Sequence, residues 1–573
     1  MIRFYFLFFS LSFFSVLSSA QQKNLPLNYE GYIGTDRVLT QESTGGFETF
    51  TAVKPLIESN TLTCKSYICA NSLGNIDSRQ CFPLCGLMMT DSARAQLEYY
   101  SYSKIHYENW KAKLLGKIKY DHLIVFVDSA THFHMTIDPL MDFDYGKDLE
   151  DKSGRTLTVN TRGFLIQGDI AHHFSFGSSF YENQSFLPHY LDSTVKATQV
   201  IPGQGRWKNF KTDGYDYSMS SGYISYSPNK HFNFQGGTGK HFIGDGYRSL
   251  LLSDNSFNYP YLRITTTFGR FQYTNLYASL MNLTYSAAHI PAGTEHLYQK
   301  KSAAFQFLNV NVTKRIQLGI FQALIATAAD SVNRQHLDIY YFQPVIGVSA
   351  AHYQFNDPNH VLMGATVKIK VCSYFSLYGQ YMLDGVEGNY NGGGLYNRQG
   401  FQAGGKLFDF LKIRNLYLQG EYNQVRPYSY AAADPSQSYT HYGQALADPL
   451  GANFQELIGI VHYRFKDFFI ELKANYARIG ADSAGKNFGQ NIFASDQNAW
   501  LGSNPSSIPL LRGLKSTLTI GEFKLGYMIN PAYNLNIMVG AMVRDYENGI
   551  SNSKTSYIYF GLRTSMTNNY YDF

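Results

Sequence analysis

Apolar and polar residues alternate with a period of two along most of the chain beyond about residue 116. Between Phe468 and Tyr476, one face carries Phe468, Ile470, Leu472, Ala474 and Tyr476. The opposite face carries Glu471, Lys473 and Asn475, and only Phe469 breaks the alternation. Gln419 and Glu421 form the polar face of 416–422, and Arg263, Thr265 and Thr267 that of 262–268. Leu535, Ile537, Val539 and Ala541 make an unbroken apolar face. Similar segments recur near 155–181, 217–237, 271–281, 303–325, 364–383, 457–465, 516–529 and 557–566. This period predicts half-buried β-strands. The connectors are short at 390–394 and 545–554, and long at 427–453 and 482–509. No repeat exists beyond the alternation itself.

Beyond residue 20 no apolar run is long enough for a spanning helix, and mean hydropathy is only −0.24. Strands with one apolar and one charged face suit a closed transmembrane barrel, where a basic residue facing lipid at the midplane costs roughly 2–4 kcal/mol. The charged faces are therefore expected to point into the lumen. The 46 Tyr and 42 Phe are the heaviest compositional bias and suit aromatic girdles at the two interfaces. A large secreted β-sandwich or propeller is the competing all-β reading. The net charge of +5, spread along the chain without a basic tract, gives no reason to expect nucleic acid. Long loops are expected at the cell surface and short turns at the periplasmic end.

Residues 1–20 read as a secretory signal: Arg3, an apolar run over Phe4–Leu17, then Ser18-Ser19-Ala20 as the cleavage site. Export followed by a barrel places the chain in the outer membrane. The end of the chain agrees. Residues 557–566 read as a strand, and the chain finishes on Phe573, which looks like the insertion signal of bacterial outer-membrane barrels. Outer-membrane lipid and the barrel assembly machinery are the partners this implies. The expected layout is a signal peptide over 1–20, an N-terminal plug, cap or extramembrane region over 21–115, and a barrel over 116–573.

The N-terminal region holds Cys64, Cys69, Cys81 and Cys85, while Cys372 stands alone. An oxidising compartment favours two disulfides, with three possible pairings; a zinc site is the alternative, although the spacing lacks a C-x2-C knuckle. A helix is expected from Asp91 to Trp110, with Ala95, Tyr99 and Tyr102 on one face.

Candidate chemistry is sparse. Gly236-Gly-Thr-Gly-Lys240 lacks the first glycine and the Ser/Thr of a phosphate loop and reads better as a strand end entering a turn. His132 and His134 would share one face of a strand, and His172 and His173 would face opposite ways; no third metal ligand is placed. Asp142, Asp144 and Asp148 resemble a calcium loop but lack its terminal Glu, so a solvated turn is the expectation. No nucleophile elbow or zinc-protease motif occurs, so neither an enzyme nor a cofactor is expected.

The stretch from Gly239 to Asn255, with Gly244, Asp245, Gly246 and Arg248, followed by Tyr259-Pro260-Tyr261, resembles a signature of Wzi-like capsule assembly proteins. It looks closest to their Bacteroidetes branch, the RemB-like gliding proteins. Ile137-Asp-Pro139, Phe180–Gln184, Leu377–Gln380 with Asp384, Glu421–Tyr430 containing Arg426, and the region of His441 and Asp448 support this in order along the chain. The resemblance covers roughly 105–573 and implies an all-β barrel of about eighteen strands with a small helical element. It implies a non-enzymatic role in surface polysaccharide attachment or in gliding and adhesion. An accessory subunit of the type IX secretion or gliding machinery, acting through protein contacts at the two long loops, is the alternative; a diffusion porin is the second. No binding role is carried over to any residue. The glycines permit a sharp bend, and Arg248 is expected to pair with Asp245 or a lumen carboxylate.

Overall fold

The computed structural model describes residues 23–41, 49–57, 118–128 except 120, 130–285 except 172, 298–326, 339–353, 359–385, 397–500 except 484, and 508–573. Eighteen antiparallel strands close into a barrel. They are β1 (Phe133–Asp148), β2 (Thr156–Ile170), β3 (Phe174–Phe186), β4 (Gly214–Asn229), β5 (Phe232–Gly239) and β6 (Tyr259–Phe268). Next come β7 (Phe271–Tyr285), β8 (Tyr298–Asn311), β9 (Ile316–Ala326), β10 (His360–Cys372), β11 (Phe375–Gly385) and β12 (Arg398–Phe408). The ring ends with β13 (Leu416–Val425), β14 (Phe454–Phe465), β15 (Phe468–Ala481), β16 (Leu514–Asn530), β17 (Leu535–Glu547) and β18 (Asn552–Arg563). Each strand pairs with its neighbours in sequence, and β18 closes on β1 with Arg563 opposite Asp142. An extra strand, Ile124–Asp128, extends the ladder beside the start of β1.

Side-chain burial follows the alternation. Phe468, Ile470, Leu472 and Tyr476 are exposed on the outer wall, whereas Glu471 and Asn475 are buried in the lumen. Phe469 also faces the lumen, where it packs with Met538 and Tyr559. Its break in the alternation is therefore no fault in the strand: this lumen is filled, and a filled lumen accepts aromatic rings.

One end of the barrel has short turns, as at 269–270 and 466–467, and the other has long connectors, as at 187–213, 240–258 and 426–453. Helix α1 (Tyr29–Gln41) lies inside the short-turn end, where Lys406 reaches Asp36 and Arg37 pairs with Asp409 at 2.9 Å. The sequence gives α1 no clear period because the surface that receives it is polar: Thr35, Asp36 and Thr40 are as buried as Ile33 and Leu39. Helix α2 (His189–Thr198) lies in the connector between β3 and β4.

Part of the β9–β10 connector packs outside the wall. Helices α3 (Ile339–Phe342) and α4 (Val348–Tyr353) set Tyr341 and Ala350 against Ala304, Leu324 and Val361. Gln306 and Gln322 share that outward face and are nonetheless buried. Gln322 accepts from the Gly347 N–H at 2.7 Å and donates to Gln306 at 3.2 Å, and Gln306 donates to the Gln343 carbonyl. Two glutamines on a lipid-facing wall are thus explained by the backbone they satisfy. Gln322→Leu should free this elbow at a cost of about 1–3 kcal/mol for the orphaned Gly347 N–H. Faster proteolysis within 339–353 of the detergent-solubilised protein checks it.

Several expectations change here. The chain does not close on a strand ending at Phe573: β18 stops at Arg563, and residues 564–573 turn back into the lumen, where Phe573 packs against the interior core. Asp142, Asp144 and Asp148 lie on the inner face of β1, not in a solvated turn, because Arg563 of the closing strand meets the first two. His132 sits in the turn before β1, so it does not share a strand face with His134. His173 lies in the β2–β3 turn, with Nδ1 2.9 Å from the Ser227 carbonyl. The 427–453 connector does not stand out as a surface loop but folds into the barrel mouth, with Tyr430, Tyr439, Leu446 and Asp448 buried. Residues 236–240 form the end of β5 and its exit, as the glycines suggested. Cys64, Cys69, Cys81, Cys85, the 91–110 helix and His172 lie outside the described residues.

Candidate functional site

Four segments meet inside the barrel: the N-terminal stretch (23–41 and 49–57), the β5–β6 connector, the 427–453 connector and the C-terminal tail. The β5–β6 connector is the hub. Its Ile243 and Phe242 pair with Val53 and Lys54, and the Gly244 N–H donates to the Ala52 carbonyl at 2.7 Å. Wall side chains hold its backbone. Gln380 accepts from the Leu250 N–H at 2.8 Å and donates to the Ile243 carbonyl at 3.1 Å. Glu421 accepts from the N–H groups of Tyr247 and Arg248 at 2.7 and 3.0 Å. Tyr430 and Tyr439 of the 427–453 connector donate to the Leu250 and Leu251 carbonyls at 2.7 and 2.6 Å.

This close approach explains two of the glycines. Gly244 has φ +150°, and a Cβ there would lie 2.1 Å from the Gln380 amide nitrogen. A Cβ on Gly246 would lie 2.6 Å from Glu421 Oε2. A side chain at either position would push aside the wall residue that holds the connector's backbone, and at Gly246 it would also meet the Arg248 carbonyl at 2.7 Å.

Arg248 is the charged centre of the hub and is almost wholly buried. Its guanidinium pairs with Asp572 Oδ1 at 3.0 Å and Glu456 Oε1 at 3.1 Å, with Asp448 Oδ2 at 3.9 Å. It also donates to the Asp572 carbonyl at 2.9 Å. The rings of Tyr247 and Tyr570 flank it at 5.2 and 5.4 Å. Lys473 and the Tyr247 hydroxyl complete the grip on Asp572 at 3.0 and 2.8 Å. Burial works to raise the pKa of Asp572, but Arg248 and Lys473 outweigh it and hold the carboxyl at about 2. A depressed carboxyl stabilises the state above its free value and loses that contribution as pH falls toward 2. The Arg248–Asp572 pair at its centre is therefore charged at physiological pH.

The other motif positions are spread through the same assembly. Asp245 does not pair with Arg248: it accepts from the Thr51 hydroxyl at 2.7 Å and lies 3.6 Å from Lys368. His441 accepts from the Met281 N–H at Nδ1 and donates from Nε2 to the Asn258 carbonyl. Burial pushes its pKa down to about 3, so it stays neutral. Arg426 is separate from this hub and donates to the Asn397 and Ile508 carbonyls at 2.9 and 3.0 Å. Of the Arg248 partners, Asp448 lay inside a stretch already singled out, with no role assigned. Glu456 and Asp572 went unnoticed. A buried arginine needs carboxylates, but Asp572 lies in the tail beyond the strand read over 557–566, where no spacing points to it.

Lys54 offers a pH test of the N-terminal contact. It donates to the Gly244 carbonyl at 3.2 Å and sits over the Phe242 ring at 4.6 Å. Burial, helped by Lys406, lowers its pKa to about 8. Between pH 8 and about 10.5 the undocked segment binds the extra proton, so docking should strengthen as pH rises through that window and stay flat below it. The thermal midpoint of the native chain, compared with Lys54→Met across pH 7–10, reads this out. The pH-dependent part should vanish in the variant.

No family model and no curated protein matches this sequence. The fold is similar to that of Wzi of Escherichia coli, an outer-membrane protein involved in group 1 capsule assembly and a carbohydrate-binding β-barrel. The TM-score is 0.50 at 11% identity, over 95% of this chain and 100% of that one. It is also similar to OccAB2 of Acinetobacter baumannii, with TM-score 0.40, 12% identity and coverage of 76% and 98%. OprD of Pseudomonas aeruginosa aligns with TM-score 0.38, 11% identity and coverage of 78% and 96%. At these identities the likeness concerns the fold, and the chain has the fold of an eighteen-stranded outer-membrane barrel.

Proposed function

We propose that this chain is a non-enzymatic outer-membrane barrel that holds surface polysaccharide. The observation that carries the reading is the lumen filled by the chain's own segments, in a fold similar to Wzi along almost its whole length. Short turns face the periplasm and the long connectors face outward. The diffusion-porin alternative has this filled lumen against it. The accessory-subunit alternative, with gliding or type IX secretion partners, has lost one of its two docking loops, because 427–453 is folded inward. As part of the same reading, the leader is cut after Ala20 and Cys64, Cys69, Cys81 and Cys85 form two disulfides. Mass mapping of the membrane-purified mature chain without reduction tests both.

The functional test is purification of a tagged chain from native membranes in mild detergent, with sugar analysis and protein mass spectrometry of the eluate. Co-purifying polysaccharide without stoichiometric protein partners is expected. Secretion or gliding subunits in equal amounts, with no sugar, would replace this reading with the accessory-subunit one.

A further inference from the structure

A cleft of about 260 Å³ runs between the C-terminal tail and the inner wall where the ring closes, along β1, β17 and β18. Two side chains on that wall have an acceptor without a donor. Asp144 spends Oδ2 on Arg563, while its buried Oδ1 has no hydrogen-bond partner. Asn536 donates from Nδ2 to the Asn534 carbonyl at 2.9 Å, and its buried Oδ1 is likewise unmatched. Both residues are more than nine-tenths buried, at 6% and 2% exposure. A buried acceptor left unmade costs about 1–3 kcal/mol, so two on one cleft ask for a donor from outside. Gly561 leaves the room that the Asp144 carboxylate itself occupies: a Cβ there would lie 2.3 Å from Oδ1.

The same wall carries an aromatic surface. Tyr557 and Tyr559 stack with centroids 5.1 Å apart and planes 16° from parallel, and the Arg563 guanidinium lies 5.7 Å from the Tyr559 ring. Unmatched acceptors beside tyrosine faces suit a molecule rich in hydroxyl donors with apolar C–H faces. The ionisable residues around the cleft comprise more carboxylates (among them Asp142, Asp144 and Glu522) than the cations Lys473, Lys524 and Arg563. That excess disfavours an anionic guest.

We propose that this cleft is a saccharide subsite that takes an uncharged, hydroxyl-rich pyranose unit and rejects uronates. The proposal rests on the polysaccharide reading above and gives it a place and a sugar class. Asp144 Oδ1 and Asn536 Oδ1 accept hydroxyl protons, and the tyrosine pair packs the sugar face.

The test is calorimetric titration of the full chain in detergent with neutral probes (glucose, galactose, mannose and their trisaccharides) and with trigalacturonate. Binding of at least one neutral probe and none of trigalacturonate is expected. Gly561→Ala pushes the Asp144 Oδ1 acceptor from its position and should weaken that probe at least tenfold. Asn536→Ala should weaken it about tenfold, the worth of one hydrogen bond. Unchanged heat-modifiable migration shows that each variant has folded. Failure of every neutral probe, equal affinity for trigalacturonate, or unchanged affinity in both variants would overturn the subsite and assign the two acceptors to water. Whole polysaccharide still retained by the native chain would then leave the broader reading standing, whereas its loss from the native chain would remove that reading itself.

Discussion

Removing residues 568–573 should convert a closed barrel into one that passes small solutes. The tail rises through the lumen on a series of specific contacts. Asn568 donates to the Asp254 carboxylate at 3.0 Å and accepts from the Tyr29 N–H at 2.8 Å. Tyr570 donates to Asp254 at 2.7 Å, and the Phe573 carbonyl accepts from Arg544 at 3.0 Å. None of these belongs to the ladder, because β18 ends at Arg563. The truncation therefore leaves the ring intact while removing Tyr570, Tyr571, Asp572 and Phe573 from the interior. It also leaves Tyr247 and Lys473 without the carboxylate they grip. Proteoliposomes carrying the truncated barrel should swell in isotonic sugar, and those with the whole chain should not. Equal, negligible swelling of both would show that the tail is not what closes the lumen.

Arg248→Ala should have the largest effect on stability of any single substitution in the interior. Breaking a buried ion pair by removing one partner costs about 3–5 kcal/mol, since the other charge stays buried and uncompensated. Here Glu456 loses its paired cation, Asp572 keeps only Lys473, and Asp448 loses its neighbour. Arg248→Lys should recover only part of the loss: an ammonium cannot present the planar fork that reaches Asp572 and Glu456 together. A clear fall in the midpoint of heat-induced unfolding, larger for Ala than for Lys, is the expected order. Equal midpoints for Arg, Lys and Ala would mean that the cluster is solvated and carries little.

The ring was legible because lipid imposes a strict rule. A wall that faces hydrocarbon on one side must alternate, and Leu535–Ala541 or Phe468–Tyr476 can hardly be read otherwise. The interior was legible only in fragments. Gly244, Gly246 and Arg248 drew notice as a stretch, and the structure shows why the glycines are there. Their partners Gln380, Glu421 and Glu456 lie one per strand on three different strands, so no spacing links them. Helix α1 was missed because it docks on a polar lumen, where Thr35 and Asp36 serve as buried residues and the amphipathic signal fades. Phe573 looks like an insertion signal at the end of a barrel strand, yet β18 stops at Arg563, and Tyr570, Tyr571 and Phe573 pack in the lumen. The outward glutamines Gln306 and Gln322 broke the lipid rule, and their explanation lay in a helical elbow far along the chain.

Conductance of the untouched chain in a planar bilayer tests the central claim most directly. A lumen filled by residues 23–41, 49–57, 240–258, 427–453 and 564–573 predicts a flat baseline after insertion is confirmed by antibody access. A steady, ohmic conductance from the full-length protein would contradict it and return the barrel to the diffusion porins.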